Sequence, residues 1–107
     1  MENNIKYSPE ALNDLQKIWR YISENLSNPI AAENTVNGIM DCVDILKQFS
    51  KAGSTLKFSN GINSGYRFVQ YKNYIAFYRI SGNDVFVDRV IYGKSDYMKI
   101  LFKDKSE

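Results

Sequence analysis

Residues 8–49 read SPEALNDLQKIWRYISENLSNPIAAENTVNGIMDCVDILKQF and predict two helices joined by a short turn. Ser8 can cap the free N–H groups of a first helix, and Pro9 suits its first helical position. Asn28-Pro29 repeats this start signal. Apolar residues at helical spacing follow each start: Ala11, Leu12, Leu15, Ile18, Trp19, Ile22 and Leu26, then Ala32, Val36, Ile39, Met40, Val43, Leu46 and Phe49.

The short connection between these helices predicts an antiparallel helical hairpin over residues 10–26 and 30–49. Gly53 is the expected C-terminal stop of the second helix. The position of Trp19 in the apolar stripe favours a place in the core. Cys42 has no cationic neighbour in sequence, which favours an inert thiol.

After the hairpin, the sequence changes to strand-forming residues. Residues 66–71, 74–80 and 85–92 are rich in Tyr, Phe, Val and Ile, which are typical of strands. Lys72-Asn73 and residues 81–84 supply turn residues between them. The pattern predicts an antiparallel three-stranded meander.

The remaining segments complete the predicted order β-α-α-β-β-β with a possible final helix. Residues 5–7 alternate apolar and polar and are expected to join the sheet edge. Residues 54–65 carry loop-forming Ser, Asn and Gly. Residues 95–102 form the expected short C-terminal helix, and the polar residues 103–107 are expected to fray. We therefore predict one α+β domain over residues 1–107, with the helical hairpin packed on one face of an antiparallel sheet.

The composition is that of an ordinary globular chain, with 44% hydrophobic and 24% charged residues among 107. No apolar run reaches the roughly 20 residues that span a bilayer. The N-terminus lacks the apolar segment of a signal peptide, and the lone Cys42 cannot form an internal disulfide. These features lead us to expect a cytoplasmic protein without membrane contact.

Charge is distributed unevenly along the chain. The net charge is +2 overall, yet residues 1–53 hold five basic and seven acidic side chains, whereas residues 54–107 hold nine and five. A modestly basic second half suits an acidic partner, either a protein or a nucleic acid. The alternative is chance asymmetry, since the imbalance is small.

The composition also argues against several kinds of chemistry. The chain has no His and one Cys, so neither an imidazole acid–base catalyst nor a zinc site is expected. Its glycines are scattered and form no phosphate-binding loop. A serine hydrolase would lack its base. We therefore assign no catalytic residue, metal or cofactor.

Three of the four arginines lie one per strand in the predicted meander, at Arg67, Arg79 and Arg89. A guanidinium can make bidentate contacts with phosphate or carboxylate groups, and nearby tyrosines can stack on bases. A basic, tyrosine-rich sheet face is therefore the candidate binding surface. The alternative is a structural role, at sheet edges or in ion pairs with aspartates of the same region: Asp84, Asp88 and Asp96.

The turn positions assign residues to the two sheet faces, because a tight turn fixes which residues pair across a hairpin. A turn at Lys72-Asn73 pairs Arg67 with Tyr78, and the next turn pairs Ala76 with Arg89. The predicted binding face then comprises Arg67, Tyr71, Tyr74, Tyr78 and Arg89. The opposite face, expected to pack beneath the helices, comprises Phe68, Ile75, Phe77, Phe86 and Val90.

Four groups of segments occur in a recognisable order: residues 8–11 with 14–15 and 18–22; Ala32 with 39–46; 66–69 with 73–79; and finally 89–96. Together they resemble the RelE/ParE superfamily, the toxins of bacterial type II toxin–antitoxin systems. The resemblance covers nearly the whole chain. It implies the same α+β toxin fold.

Departures from the family pattern help to decide which branch of the superfamily, RelE or ParE, this chain resembles more. The closing motif commonly reads arginine, valine, leucine, histidine, glycine, a basic residue, any residue and aspartate; here Tyr92 replaces the histidine, and Ser95 stands where a further arginine is often found. RNA-cleaving members usually carry an arginine where this chain has Ile75. RNA cleavage requires proton transfer and stabilisation of a charged phosphorane. In Phe77-Tyr78-Arg79 and Arg89-Val90 the chain resembles the ParE branch more, whose members poison DNA gyrase and do not cleave RNA.

The resemblance implies a growth-inhibiting, plasmid-stabilising toxin that inhibits gyrase and is neutralised by a cognate antitoxin with an acidic, helix-rich C-terminus. The residues taken to bind the target, whether gyrase or nucleic acid, are Arg67, Tyr78, Arg79, Arg89, Tyr92, Lys94 and Asp96. Two alternatives stay open. One is a ribosome-dependent mRNA endonuclease of RelE type. The other is a degenerate, non-toxic member that still binds an antitoxin-like peptide.

Overall fold

The predicted helical hairpin is present. The computed structural model of the chain describes residues 2–102. Its helical elements are α1 (Pro9–Arg20), a π-helical turn (Tyr21–Asn25), α2 (Pro29–Asp44), a 3₁₀ turn (Ile45–Lys47) and α3 (Tyr97–Phe102). Ser8 Oγ accepts the Ala11 N–H at 2.9 Å, and Asn28 Oδ1 accepts the Ala31 N–H at 3.0 Å. Both predicted caps therefore stabilise the helix starts.

The sheet has five strands in the order β1-β5-β4-β3-β2. The strands are β1 (Asn4–Tyr7), β2 (Ser54–Lys57), β3 (Asn63–Tyr71), β4 (Tyr74–Ser81) and β5 (Asp84–Tyr92). The meander and the edge position of β1 are confirmed. The sheet is mixed, however, because β1 runs parallel to β5.

The prediction of a loop over residues 54–65 is wrong at both ends. Ser54–Lys57 forms β2, which pairs with β3, and β3 already begins at Asn63. Ser, Asn and Gly make up most of this stretch and conceal the alternation of a four-residue strand. Long-range pairing with β3, which local composition does not report, decides the conformation.

Two apolar clusters lie on opposite faces of the sheet. Under the helical hairpin, the fully buried sheet residues are Ala76, Tyr78, Val85, Val87 and Val90. On the other face, which we call the outer face, Leu56, Ile75, Phe77 and Ile91 pack beneath residues of α3. The predicted face assignment is therefore inverted for most of these residues: Tyr71, Tyr74 and Tyr78 lie under the helices, and Phe68, Ile75 and Phe77 lie on the outer face. Val90 lies under the helices as predicted. Alternation identifies residues that share a face but not the layer that covers it.

One register prediction is confirmed and one is wrong. Arg67 pairs with Tyr78 as predicted, but Ala76 pairs with Val90. The cause is a bulge at Asp88, the extra residue where the register shifts between Phe77 and Tyr78. A bulge turns the following side chains of a strand, so simple alternation fails beyond it.

Only part of each apolar helical stripe is buried, because the sheet does not cover the full width of the stripe. In α1, the buried positions are Ala11, Asp14, Leu15 and Ile18, whereas Trp19 is 41% exposed. The expected core placement of Trp19 is therefore wrong. Asp14 is instead buried on this face because it has a specific partner in β5. The other exposed residues of the predicted stripes are Leu12, Leu26, Met40 and Phe49.

Gly53 is a site of close backbone approach. The second helix ends at Asp44 and its 3₁₀ extension at Lys47, so the predicted helix stop at Gly53 is wrong. A Cβ at Gly53 would lie 2.5 Å from the Phe68 carbonyl oxygen and 2.6 Å from the Tyr78 hydroxyl. The Gly53 N–H donates to that hydroxyl at 3.1 Å. Only glycine leaves room for this contact.

Substituting Gly53→Ala is expected to lower the free energy of unfolding by about 1–3 kcal/mol, the usual cost of overpacking. The new methyl group meets a backbone carbonyl and a fully buried ring, and neither moves without shifting β3 or β4. Urea unfolding measures the change. The matched control is Gly61→Ala, where a Cβ would meet open space and only the positive φ of 87° adds strain. A smaller loss at Gly53 than at Gly61 would contradict this role.

Tyr7 has a half-buried side chain whose hydroxyl has no hydrogen-bond partner among residues 2–102. Burial first, and then the negative charge of Asp44, raise the pKa of Tyr7 to about 12. Folding therefore opposes deprotonation of this phenol.

The pKa shift predicts a loss of stability in alkaline solution. The contribution of Tyr7 to stability is fully present below pH 10 and is lost as the pH rises to about 12, because the unfolded chain releases the proton first. Tyr7→Phe should flatten the fall in urea midpoint between these pH values and should cost little stability at neutral pH. Tyr21→Phe, at an exposed position, is the control. Identical pH profiles for wild type and Tyr7→Phe would refute the prediction.

Candidate target-binding cleft

Arg89 is engaged inside the fold. Its Nε and Nη2 donate to the two carboxylate oxygens of Asp14 at 2.7 and 3.0 Å, and the Val90 N–H donates to the same carboxylate at 2.9 Å. The hydrogen bond with Asp14 is the main cause that raises the pKa of Arg89; burial opposes it and nearby negative charge adds to it. This bidentate pair fastens α1 to β5 at the bulge.

Arg79 is partly exposed and also paired. Its Nε and Nη2 donate to Asp88 at 2.6 and 3.2 Å, and the Tyr66 hydroxyl donates to the same carboxylate at 3.0 Å. The Arg79 guanidinium lies 5.2 Å from the centre of the Phe86 ring. For Arg79, the structure therefore confirms the alternative prediction of an ion pair with a nearby aspartate.

Arg67 and Tyr78 hold the segment before β2. Arg67 Nη2 donates to the carbonyl oxygens of Lys51 and Gly53 at 3.0 and 3.1 Å. Tyr78 is fully buried, and its hydroxyl donates to the Ser50 carbonyl oxygen at 2.8 Å. The basic, tyrosine-rich face predicted from the strands is thus not an open surface, and Tyr78 is closed to a partner in the folded chain.

A cleft opens at the end of the molecule where α1, the β3–β4 turn and the end of β5 meet. It has a volume of about 510 Å³ and is lined by Lys17, Ile18, Tyr21, Asn73, Tyr74 and Tyr92. We call it the tyrosine cleft. The Tyr74 and Tyr92 ring centres lie 5.8 Å apart with their planes tilted by 58°. The Gly93 N–H donates to the Asn73 carbonyl oxygen at 2.7 Å and fixes β5 beside the turn.

Basic residues line the tyrosine cleft or flank its lining residues in sequence. Lys17 lines it, and Arg20, Lys72 and Lys94 lie within two positions of a lining residue, whereas no Asp or Glu does. Within residues 2–102, none of these four cations forms an ion pair. Burial and the neighbouring Tyr21 and Tyr92 raise the pKa of Tyr74. The site can bind an anionic, planar group but offers no acid–base pair suited to neutral pH.

Two of the predicted target-binding residues belong to this region. Tyr92 is 41% exposed and lines the cleft, and exposed Lys94 follows it by two positions. Asp96 instead accepts the Lys99 N–H at 3.3 Å and caps α3. The sequence-based site did not include Lys17 and Tyr21, although their spacing of four places them on one helix face.

Residues 2–102 contain neither a cluster of metal-ligating side chains nor a helix that could span a membrane. No group of three or more Cys, Asp or Glu side chains stands close enough to hold a metal ion. No helix in this part of the chain has the length and apolar character needed to cross a membrane.

Comparisons with known proteins agree with this fold. Solved structures similar to the chain include the chromosomal ParDE toxin–antitoxin system from P. aeruginosa, with a TM-score of 0.71, 22% identity, and coverage of 85% of this chain and 96% of that one. The RelBE2 toxin–antitoxin complex from Mycobacterium tuberculosis has a TM-score of 0.54, 18% identity, and coverage of 86% and 99%. YafQ from E. coli has a TM-score of 0.51, 16% identity, and coverage of 85% and 93%.

Sequence comparison defines the family more closely than the fold does. No curated protein sequence matches the chain. The family described as "ParE toxin of type II toxin-antitoxin system, parDE" matches residues 5–97. This range includes both helices of the hairpin, the five strands apart from Asn4 of β1, and every residue that lines the tyrosine cleft. The chain belongs to the ParE toxins of type II toxin–antitoxin systems.

Proposed function

We propose that this toxin inhibits DNA gyrase by binding it, and that it does not cleave RNA. The observation that carries the proposal is the match of residues 5–97 to the ParE family, because the resemblance to the ParE branch implies gyrase as the target. In this proposal the toxin acts by occupying a surface of its target.

The outer face of the sheet supports a non-nuclease function. Ile75, which stands where RNA-cleaving relatives usually present arginine, is 9% exposed and packs with Phe77 and Ile91 beneath α3. An apolar residue in this cluster cannot stabilise a charged phosphorane. Losing one such contact typically lowers a rate by about 10²–10³, and the absence of an imidazole removes the usual proton-transfer group as well.

Within this proposal, target contact passes through the tyrosine cleft and the basic residues around it. Tyr92 and Lys94 keep the target-binding role predicted from the sequence, and Lys17, Tyr21 and Tyr74 join them. Tyrosine and arginine are enriched among the residues that contribute most of the binding energy at protein interfaces. Arg79 stays a secondary candidate, because contact with a partner would compete with Asp88.

The experiment that tests gyrase inhibition is a supercoiling assay with purified toxin. Relaxed plasmid, gyrase and ATP are incubated with increasing toxin, and the topology of the DNA is read on a gel. The proposal expects supercoiling to decline with toxin concentration and to recover when the cognate antitoxin is added. Full supercoiling at a large excess of folded toxin would exclude this function and favour the RNA-cleaving or non-toxic alternatives.

We also propose a cognate antitoxin that covers the helical hairpin. Ten large hydrophobic residues are exposed within residues 2–102, and eight of them lie from Leu12 to Phe49. An amphipathic segment that folds on binding would bury such a surface. An acidic antitoxin would also reach the unpaired cations around the tyrosine cleft.

Co-expression with the product of the neighbouring reading frame tests the partner. We expect the two chains to purify together, and we expect Ile30→Asp, at a residue 75% exposed, to weaken the complex. Ile62→Asp, at a residue 62% exposed and distant from the hairpin in sequence, is the control. A toxin chain that is stable alone, harmless on expression and unbound by that product would argue against an antitoxin.

A further inference from the structure

We propose that the tyrosine cleft binds a single DNA strand, with one base seated against Tyr74 and Tyr92 and the adjoining phosphates held by Lys17 and its cationic neighbours. This inference rests on the proposed function, and it adds direct contact with DNA to contact with the enzyme.

The aromatic residues of the cleft fit a base. Tyr74 and Tyr92 form a tilted pair with ring centres 5.8 Å apart, and Tyr21, which is 51% exposed, lines the same cleft. Nucleic-acid bases stack on such rings without strong sequence preference, because every base has a π-face. Asn73 adds an amide that can donate and accept a hydrogen bond at a base edge.

The charges around the cleft fit a phosphate backbone. Two of the strand arginines are already paired, Arg79 with Asp88 and Arg89 with Asp14. Lys17 lines the cleft and has no such carboxylate partner within residues 2–102. The same holds for the three cations that lie within two positions of a lining residue in sequence: Arg20, Lys72 and Lys94. Unpaired cations bind phosphates mainly through electrostatic attraction and counterion release.

A nucleic-acid strand suits these features better than an acidic peptide does. A peptide carboxylate would use the cations and leave the three tyrosine rings without a planar partner. A nucleotide uses both, because each phosphate is joined to a base. The volume of about 510 Å³ lies in the range of small-ligand sites, roughly 300–1,000 Å³, and therefore admits one base with its sugar.

Fluorescence anisotropy with a labelled oligothymidylate of about 12 nucleotides, within the usual range of site sizes, tests the inference. Full-length toxin is expected to bind, and log affinity should fall linearly with log salt. Tyr92→Ala should weaken binding on the order of tenfold through loss of stacking. Lys17→Ala should reduce the salt slope by about 0.7. Unfolding midpoints verify that each variant stays folded.

Lys57→Ala is the matched control, because Lys57 is also exposed and forms no ion pair among residues 2–102 but lies in β2 at the far edge of the sheet. It should change the affinity little. Equal weakening by Lys57→Ala and Tyr92→Ala would overturn the inference, as would the absence of binding at low salt. A polyglutamate peptide that binds with the same Tyr92 dependence while the oligonucleotide does not would also overturn it.

The gyrase assay separates this inference from the proposed function. If the toxin inhibits supercoiling yet binds no oligonucleotide, the DNA contact is wrong and gyrase inhibition stands. If it binds the oligonucleotide at the cleft and leaves gyrase active, DNA binding by the cleft is supported and the gyrase proposal fails.

Discussion

Replacing Asp14 with alanine is expected to lower the free energy of unfolding on the order of 3 kcal/mol, as is typical when one partner of a buried ion pair is removed. The Asp14 side chain is 9% exposed and accepts from the Arg89 guanidinium and the Val90 N–H. The substitution leaves a guanidinium and a backbone donor without their acceptor in a part-buried site. Urea unfolding monitored by circular dichroism measures the loss.

Asp84→Ala is the matched control for this change. Asp84 pairs with Lys6 at 3.7 Å near the surface, where the two side chains are 32% and 56% exposed. Exposed ion pairs contribute at most about 1 kcal/mol. Equal losses in the free energy of unfolding for the two variants would show that the Asp14–Arg89 pair stabilises the fold no more than an exposed ion pair does.

The second large effect is expected at the tyrosine cleft. Tyr92→Ala should raise the toxin concentration that half-inhibits gyrase by about tenfold or more, the scale of an aromatic hot spot at a protein interface. Lys94→Ala should act in the same direction but less strongly, because a cation at an open rim is screened by salt. Quantitative supercoiling assays on variants with wild-type unfolding midpoints measure both effects.

Two control variants define what the cleft contributes. Tyr92→Phe keeps the ring and should retain most of the inhibition, whereas Lys57→Ala on β2 should leave it unchanged. Undiminished inhibition by Tyr92→Ala would exclude the cleft as the contact site. Arg89→Ala is unsuitable as a binding probe, because Arg89 fastens β5 to Asp14 and its loss is expected to destabilise the fold.

Local signals account for the parts of the fold that the sequence predicts. The cap and proline pairs at Ser8-Pro9 and Asn28-Pro29 act over a few residues, and so does the turn at Lys72-Asn73. The sheet faces were assigned wrongly because contacts between distant parts of the chain decide which face the helices cover. Ala76 and the valines of β5 leave room for the helices, and the bulge at Asp88 changes the alternation that the sequence alone suggests.

The candidate site was harder to predict for the same reason. Arg89 and Asp14 lie 75 positions apart, so nothing in the local sequence marked Arg89 as an internal ion-pair partner. The tyrosine cleft unites three distant segments, around Lys17, Asn73 and Tyr92. Tyr92 and Lys94 were recognised because they fall in the closing motif. Tyr21 and Lys17 become part of a site only when α1 packs beside the end of β5.

The most direct test of the central claim places one preparation of wild-type toxin in two reactions, gyrase acting on plasmid DNA and ribosomes translating a defined mRNA. We predict blocked supercoiling, or linear DNA released from trapped gyrase after proteolysis, at toxin concentrations that leave the mRNA intact. Codon-specific cleavage of the mRNA on translating ribosomes, with gyrase unaffected at the same concentrations, would contradict it.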